Sequence, residues 1–112
     1  MGVYVLLTKL TEKGRKVVKE NPERIEEVNK RVESLGVNIL SQYALFGPYD
    51  FVNILKADND EVVMKLVIDL TASGKMEIIT LTAVHIDRFI ERMTQISAKE
   101  QNPCGGNLGH LS

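Results

Sequence analysis

The chain has 112 residues, of which 44% are hydrophobic and 26% are charged, and its formal net charge is -1. This length fits one domain that can bury a core without the help of disulfide bonds or metal ions. The net charge gives no general attraction to nucleic acid or to anionic membranes. The single cysteine, Cys104, allows neither an internal disulfide nor a zinc-ligand set. There is no basic leader at the N-terminus and no apolar run of the roughly 20 residues that a membrane helix needs. We therefore expect a cytoplasmic protein that binds neither nucleic acid nor membrane.

The first part of the chain predicts one strand followed by two helices. The apolar run Val3–Leu10 is typical of a central strand that is buried on both faces. Thr11 then caps a short turn or helix over residues 12–19, which Gly14 interrupts. Asn21-Pro22-Glu23 is a clearer start signal for a second helix, because asparagine is a good N-cap and proline suits the first helical position.

Residues 37–57 predict a hairpin around which the rest of the fold is arranged. Its centre, Gly47-Pro48, suits a two-residue type II′ turn, since glycine accepts the positive φ of the first position and proline has the φ of the second. This turn sets a register whose pairs on one face are Phe46 with Tyr49, Ala44 with Phe51, Gln42 with Asn53, and Leu40 with Leu55. Both faces of the hairpin are then largely apolar.

The remaining elements are a helix, a strand and a last helix. Asp58 and Glu61 resemble a capping box at the start of the helix. Met76–Val84 predicts the fourth strand, and residues 86–96 predict an amphipathic helix. From residue 97 to the end there is no periodicity, so we expect one domain over residues 1–96 and an irregular tail over residues 97–112.

The order β-α-β-β-α-β with a C-terminal helix predicts an α+β, ferredoxin-like fold. Right-handed crossovers place both main helices on one face of a four-stranded antiparallel sheet and leave the other face open. Strand alternation assigns to that open face Leu6, Leu40, Ala44, Phe51, Leu55, Ile78 and Val84. Such a face is too apolar to stay in water. Its simplest cover is a second copy, so we expect a homodimer of the dimeric α/β barrel type.

Four segments of the chain resemble the GYD domain family, which is named for a Gly-x-Tyr-Asp motif. They are Tyr4–Thr11, Asn21–Arg24, Leu35–Val37 and Gly47–Val52, the last of which begins with Gly47-Pro48-Tyr49-Asp50. The resemblance covers residues 3–90. It implies a ferredoxin-like fold of the dimeric α/β barrel type. It implies no activity, because the family is best described as uncharacterised.

Six polar residues are the candidates for ligand binding. Thr8, Gln42, Asn53 and Thr80 are expected to line a small polar pocket inside the barrel, and Tyr49 and Asp50 follow the turn at the sheet edge. Each has a structural alternative. The pocket residues could satisfy one another across strands, Asp50 could accept hydrogen bonds from loop or helix N–H groups, and Tyr49 could pack against the partner subunit.

Other reactive side chains give weaker signals. His85, at the end of the fourth strand, could serve as a general base, but a lone histidine before a helix is more often a cap. Cys104 and His110 lie in the tail without an element to fix them, and Gly105-Gly106-Asn107 lacks the lysine and helix of a phosphate loop. We therefore expect no metal site and no cofactor.

The leading hypothesis is a small cytoplasmic homodimer that acts as a ligand-binding or regulatory module and has no chemistry of its own. The alternative is a cofactor-independent enzyme, oxygenase-like or isomerase-like, with its site inside the dimeric barrel. The interior face lacks an evident acid–base pair, which disfavours the enzyme. A trimeric nucleotide sensor is disfavoured because Gly47-Pro48 replaces the long loop of that class.

Overall fold

The computed structural model describes residues 1–100, with side-chain surroundings given up to residue 95. The candidates Cys104 and His110 therefore lie outside the described residues. In chain order the elements are β1 Gly2–Leu10, α1 Glu12–Glu20, α2 Arg24–Ser34, β2 Asn38–Ala44, β3 Phe51–Ala57, α3 Asp60–Thr71, β4 Met76–Ala83 and α4 Ile86–Glu100. The first residues of the predicted irregular tail thus continue helix α4.

The four strands form one antiparallel sheet in the order β2-β3-β1-β4. β1 is central and pairs with both β3 and β4, as its apolar sequence predicts. Helices α1, α2 and α3 pack on one face of this sheet. The predicted α+β, ferredoxin-like arrangement is therefore confirmed.

The core lies between the sheet and this single layer of helices. Leu6 of β1 and Leu55 of β3 are each 2% exposed, and they pack with Leu66 of α3, which is 1% exposed. Val32 of α2 completes the contact on the other side. Each fully buried leucine contributes about 1.5–3 kcal/mol to folding, so these few side chains fix α2 and α3 against the sheet.

Local capping explains where the helices begin. Thr11 caps α1 as predicted, since its hydroxyl accepts from the Gly14 N–H at 3.2 Å, but α1 continues through Gly14 without interruption. The cap of α3 is Asn59, whose side chain accepts from the Val62 N–H at 3.0 Å, so the predicted capping box at Asp58 is wrong by one residue. A neighbouring asparagine at the correct position replaces it.

The predicted two-residue turn is wrong, although its glycine behaves as expected. β2 ends at Ala44 and β3 begins at Phe51, and the connection closes with a 2.8 Å hydrogen bond from the Leu45 N–H to the Asp50 carbonyl. Gly47 has a φ of +140°, so the positive value is confirmed. The ladder stops before Phe46, so the loop is longer than a type II′ turn. The Phe46 side chain is fully exposed.

The hairpin register holds near the loop and shifts farther away. Ala44 pairs with Phe51, and Gln42 pairs with Asn53, as predicted. The predicted pair of Leu40 with Leu55 is wrong, because an irregularity between Ile39 and Ser41 leaves Leu40 unpaired and brings Ile39 opposite Leu55. An extra residue of this kind is a β-bulge, which alternation alone does not reveal.

The predicted assignment of the two sheet faces is inverted. Leu6, Leu55 and Ile78 belong to the helix-side core, although alternation had assigned them to the open face. The same change moves Phe51 and its cross-strand partner Ala44 to the helix side. Alternation shows which residues share a face but not which face the helices cover. Because both faces of this sheet are apolar, the pattern gave no means of choosing.

The face opposite the helices, here called the open face, is also apolar. The strand registers place on it Val3, Val5, Leu7, Tyr43, Val52, Ile54, Ile79, Leu81 and Ala83. Ile79 and Leu81 are each 46% exposed, and Tyr43 is 61% exposed. One face of the sheet is therefore apolar and exposed, as predicted, but the residues on it are different from the predicted ones.

Helix α4 carries a second exposed apolar surface, here called the α4 stripe. It consists of Ile86, Phe89, Ile90 and Met93, which are 43–60% exposed. These positions recur at helical spacing, as predicted for residues 86–96. Within the described chain, no helix is long and apolar enough to cross a membrane.

Candidate functional site

A cavity of about 120 Å³ lies between the sheet and helices α1 and α2. Its walls are mostly aliphatic and include Leu6 of β1, Val28 of α2 and Ile78 of β4. Its lining also includes the polar residues Thr8, Asn29, Gln42 and Asn53. The arrangement is typical of small-molecule sites, in which a few polar groups are set into apolar walls.

Three amide side chains form a hydrogen-bonded network in this cavity. Asn29 Nδ2 donates to Gln42 Oε1 at 2.8 Å, and Gln42 Nε2 donates back to Asn29 Oδ1 at 3.0 Å. Gln42 Nε2 also donates to Asn53 Oδ1 at 2.6 Å. The network joins helix α2 to strands β2 and β3. It orients the three amides relative to one another.

The structure brings together three of the six predicted site residues. Thr8, Gln42 and Asn53 line the same cavity, with Thr8 only 4% exposed. They do so on the helix side of the sheet, whereas the sequence had placed them on the open face. The inversion of the faces accounts for this difference, and it moves the candidate site away from any interface formed by the open face.

Thr80 lies in a separate groove between β4 and α3. Thr82, Met64 and Ile68 line this groove with it. Tyr4 lies at the same groove and donates a hydrogen bond from its hydroxyl to Asp60 Oδ1. That hydrogen bond, followed by burial and the carboxylate charge, raises the pKa of Tyr4.

Tyr49 and Asp50 lie in the loop between β2 and β3. The Asp50 carboxylate accepts from the Leu10 N–H at 2.7 Å, and the Asp50 N–H donates to the Thr8 carbonyl at 2.8 Å. Asp50 therefore fastens the loop to the end of β1, and the N–H group that it accepts from belongs to a strand, not to a loop or a helix as the structural alternative had it. Tyr49 is partly buried in the loop and is not among the residues that line the cavity.

His85 acts as a local cap for helix α4. Its Nδ1 accepts from the Asp87 N–H at 3.1 Å, and its carbonyl accepts from the Phe89 N–H at 3.0 Å. The ring is largely exposed. Among the described residues, there is no group of three side chains suited to holding a metal ion.

Three polar or charged residues of the cavity lining were not predicted from the sequence. Asn29 lies on the same side of α2 as Ile25 and Val32, so a polar residue within an apolar stripe was the available signal. Arg24 and Lys75 also line the cavity, and no distinctive pattern marks them in the sequence. Lys75 is held beside the start of helix α1, because the Thr11 N–H donates to the Lys75 carbonyl at 3.0 Å.

The strand order and the helix layer define a small ferredoxin-like domain with two exposed apolar surfaces. The family model described as GYD domain matches residues 4–93, and the chain belongs to that family. The family suggested by the sequence motifs is therefore confirmed. A curated relative from Thermus thermophilus, named "Glutamine synthetase and cystathionine beta-lyase binding protein", is 37% identical over 94 residues. The match covers 83% of this chain and 99% of the relative.

Two solved structures are similar to this chain. The crystal structure of FFRP-DM1 has a TM-score of 0.51 at 15% identity, over 75% of this chain and 100% of that one. The crystal structure of TTHA0845 from Thermus thermophilus has a TM-score of 0.49 at 20% identity, over 76% of this chain and 95% of that one. At these identities, the likeness to FFRP-DM1 concerns the fold alone.

Proposed function

We propose that this chain is a small cytoplasmic homodimer that binds and regulates other proteins. The name of the 37% identical relative describes a protein that binds two enzymes, and nearly its whole length matches this chain. The cavity supports binding rather than catalysis. Among the described residues that line it there is neither a histidine nor a carboxylate, so it lacks the usual general bases.

The open face is the observation on which the homodimer rests. Its cross-strand neighbours are apolar in consecutive rows, with Leu81 beside Val5 and Ile79 beside Leu7. On the other side of β1, Ile54 and Val52 extend the same rows. A contiguous apolar patch of this kind usually marks an interaction site. A second open face matches it in shape and polarity, which is how a two-fold symmetric dimer is built.

The α4 stripe supports the same assembly. Helix α4 follows β4, the edge strand that contributes Ile79 and Leu81 to the open face. Its apolar residues, among them Phe89 at 52% exposed, find no cover in the described part of their own chain. We assign the α4 stripe to the same interface, where it packs on the second copy beside the sheets. The helix layer then remains outside and is free to contact other proteins.

The binding role is tested with the two enzymes that the relative's name mentions. We expect purified chain to form a complex with glutamine synthetase or cystathionine beta-lyase from its own source, because the matched region spans almost the entire relative. Sedimentation velocity of the mixture would show a faster boundary than that of the enzyme alone. Charge reversal on the outward helix layer, as in Lys16→Glu with Lys19→Glu, is expected to change the affinity while the dimer persists.

The same sedimentation experiment can contradict the protein-binding proposal. If the dimeric chain and each enzyme sediment independently at concentrations well above those in a cell, the chain does not share its relative's partners. Bovine serum albumin serves as the unrelated acidic control. A complex with albumin of equal strength would show nonspecific adhesion.

A further inference from the structure

We propose that the helix-side cavity binds a small carboxylate that carries a short apolar chain or ring. This site lies opposite the open face, so it does not depend on the homodimer or on protein partners. Three features of the cavity lead to this class of ligand: its volume, its unused hydrogen-bond donors and its charge.

The volume suits a ligand whose enclosed apolar part is no larger than a benzene ring. The cavity measures about 120 Å³, and an engineered apolar cavity of roughly 150 Å³ takes up benzene. The walls offer aliphatic carbons from Leu6, Val28 and Ile78 for the apolar part. Gln42 is exposed and Asn29 partly buried, so the polar end of the cavity reaches solvent and gives a ligand a path of entry.

The amide network leaves hydrogen-bond donors for a ligand. Each of its three carbonyl oxygens accepts one hydrogen bond within the network and keeps a second lone pair for a donor such as water. Gln42 Nε2 uses both of its hydrogens, but Asn29 Nδ2 uses one and Asn53 Nδ2 uses neither. Three N–H groups are thus left over by the network. A ligand group that only accepts, such as a carboxylate, matches them.

The charged residues of the cavity lining are Arg24 and Lys75, and the described lining contains no acid to oppose them. Arg24 has a carboxylate neighbour in Glu27, with Arg24 Nη1 and Glu27 Oε2 3.6 Å apart and both side chains about half exposed. An exposed pair of this kind contributes little. A ligand carboxylate can therefore compete for the guanidinium, which binds carboxylates well through its paired N–H groups.

The test compares acids with neutral compounds of the same shape. Wild-type protein would be titrated with hexanoate and benzoate, and then with hexanamide and benzamide, by calorimetry and by thermal unfolding. We expect the acids to bind at least about tenfold more tightly than the amides, since a charge-assisted hydrogen bond is lost with the amide. The unfolding temperature should rise with acid concentration, because the ligand binds the folded state.

Variants locate the site. Arg24→Gln is expected to weaken acid binding by about tenfold, whereas Arg31→Gln, exposed on the same helix α2 and absent from the cavity lining, should leave it unchanged. In ¹H–¹⁵N spectra of the wild type, the side-chain NH₂ signals of Asn29 and Asn53 should shift on addition of hexanoate. This readout does not depend on any variant being stable.

Three outcomes would overturn the proposal. The acids could fail to bind at all. The neutral amides could bind as tightly as the acids, which would refute the assigned class. The Arg31→Gln variant could lose affinity as much as Arg24→Gln does, with no shift at the asparagine NH₂ signals, and the acids would then bind elsewhere. None of these results concerns the dimer or the two enzymes, so a failure here is distinct from a failure of the proposed function.

Discussion

Replacing Gly14 by alanine is expected to destabilise the fold by about 1–3 kcal/mol, the usual cost of forcing extra atoms into a packed region. A Cβ at this position would lie 1.9 Å from the Lys75 carbonyl oxygen and 2.9 Å from its carbon. That backbone cannot easily move, because the Thr11 N–H donates to the same oxygen at 3.0 Å and the Thr11 hydroxyl donates to the Gly74 carbonyl at 2.7 Å. The contact fixes the start of α1 against the beginning of β4.

A loss of stability in Gly14→Ala would be specific evidence for the contact with Lys75. In an exposed helix interior, glycine to alanine normally stabilises by about 1 kcal/mol, so the contact reverses the usual result. Urea denaturation of Gly14→Ala, with Lys16→Ala in the same helix as the control, measures it. A Gly14→Ala protein as stable as the wild type would mean that α1 does not approach Lys75 in this way.

A carboxylate in the centre of the open face is expected to convert the dimer into a folded monomer. Ile54 lies on this face between Val5 and Ser41, and its replacement by aspartate would bury an unpaired charge in the interface. The monomer should stay folded, because the neighbouring Leu55 points to the other side and keeps the helix-side core intact. Sedimentation equilibrium gives the mass, and circular dichroism shows whether the fold remains.

Two further substitutions complete the Ile54→Asp experiment. Met64→Asp places the same charge on an exposed apolar position of the helix layer and should leave the dimer unchanged. Leu55→Asp should unfold the chain instead of dissociating it, since Leu55 is 2% exposed in the core. A dimer that persists unchanged in Ile54→Asp would remove the open face from the interface.

The element order and the strand register next to the hairpin loop were predictable because they depend on local signals. Period-2 and period-3.6 patterns mark strands and helices, and Thr11 at the start of α1 is a capping residue in the expected place. The pairing of Gln42 with Asn53 followed from the position of Gly47 and needed no knowledge of the rest of the fold. The short motif around Gly47 likewise sufficed to suggest the family.

The location of the candidate site was not predictable from alternation. Gln42 and Asn53 were correctly placed on one face, yet that face is covered by α2, and its third amide comes from Asn29 of that helix. Choosing between two apolar faces requires knowing how the crossover connections run in space. The bulge at Leu40 is equally invisible, because it changes the pairing without changing the composition of the strand.

The central claim is that two copies meet through their open faces. Isotope-filtered NOE spectroscopy on a mixture of ¹³C-labelled and unlabelled protein tests it most directly, since only contacts between subunits give signals. We expect intersubunit signals among the methyl groups of Leu7, Ile79 and Leu81, which lie on the adjacent strands β1 and β4 of the open face. A dimer whose intersubunit signals come only from the helix layer, for example from Met64, or a protein that gives none at millimolar concentration, would contradict it.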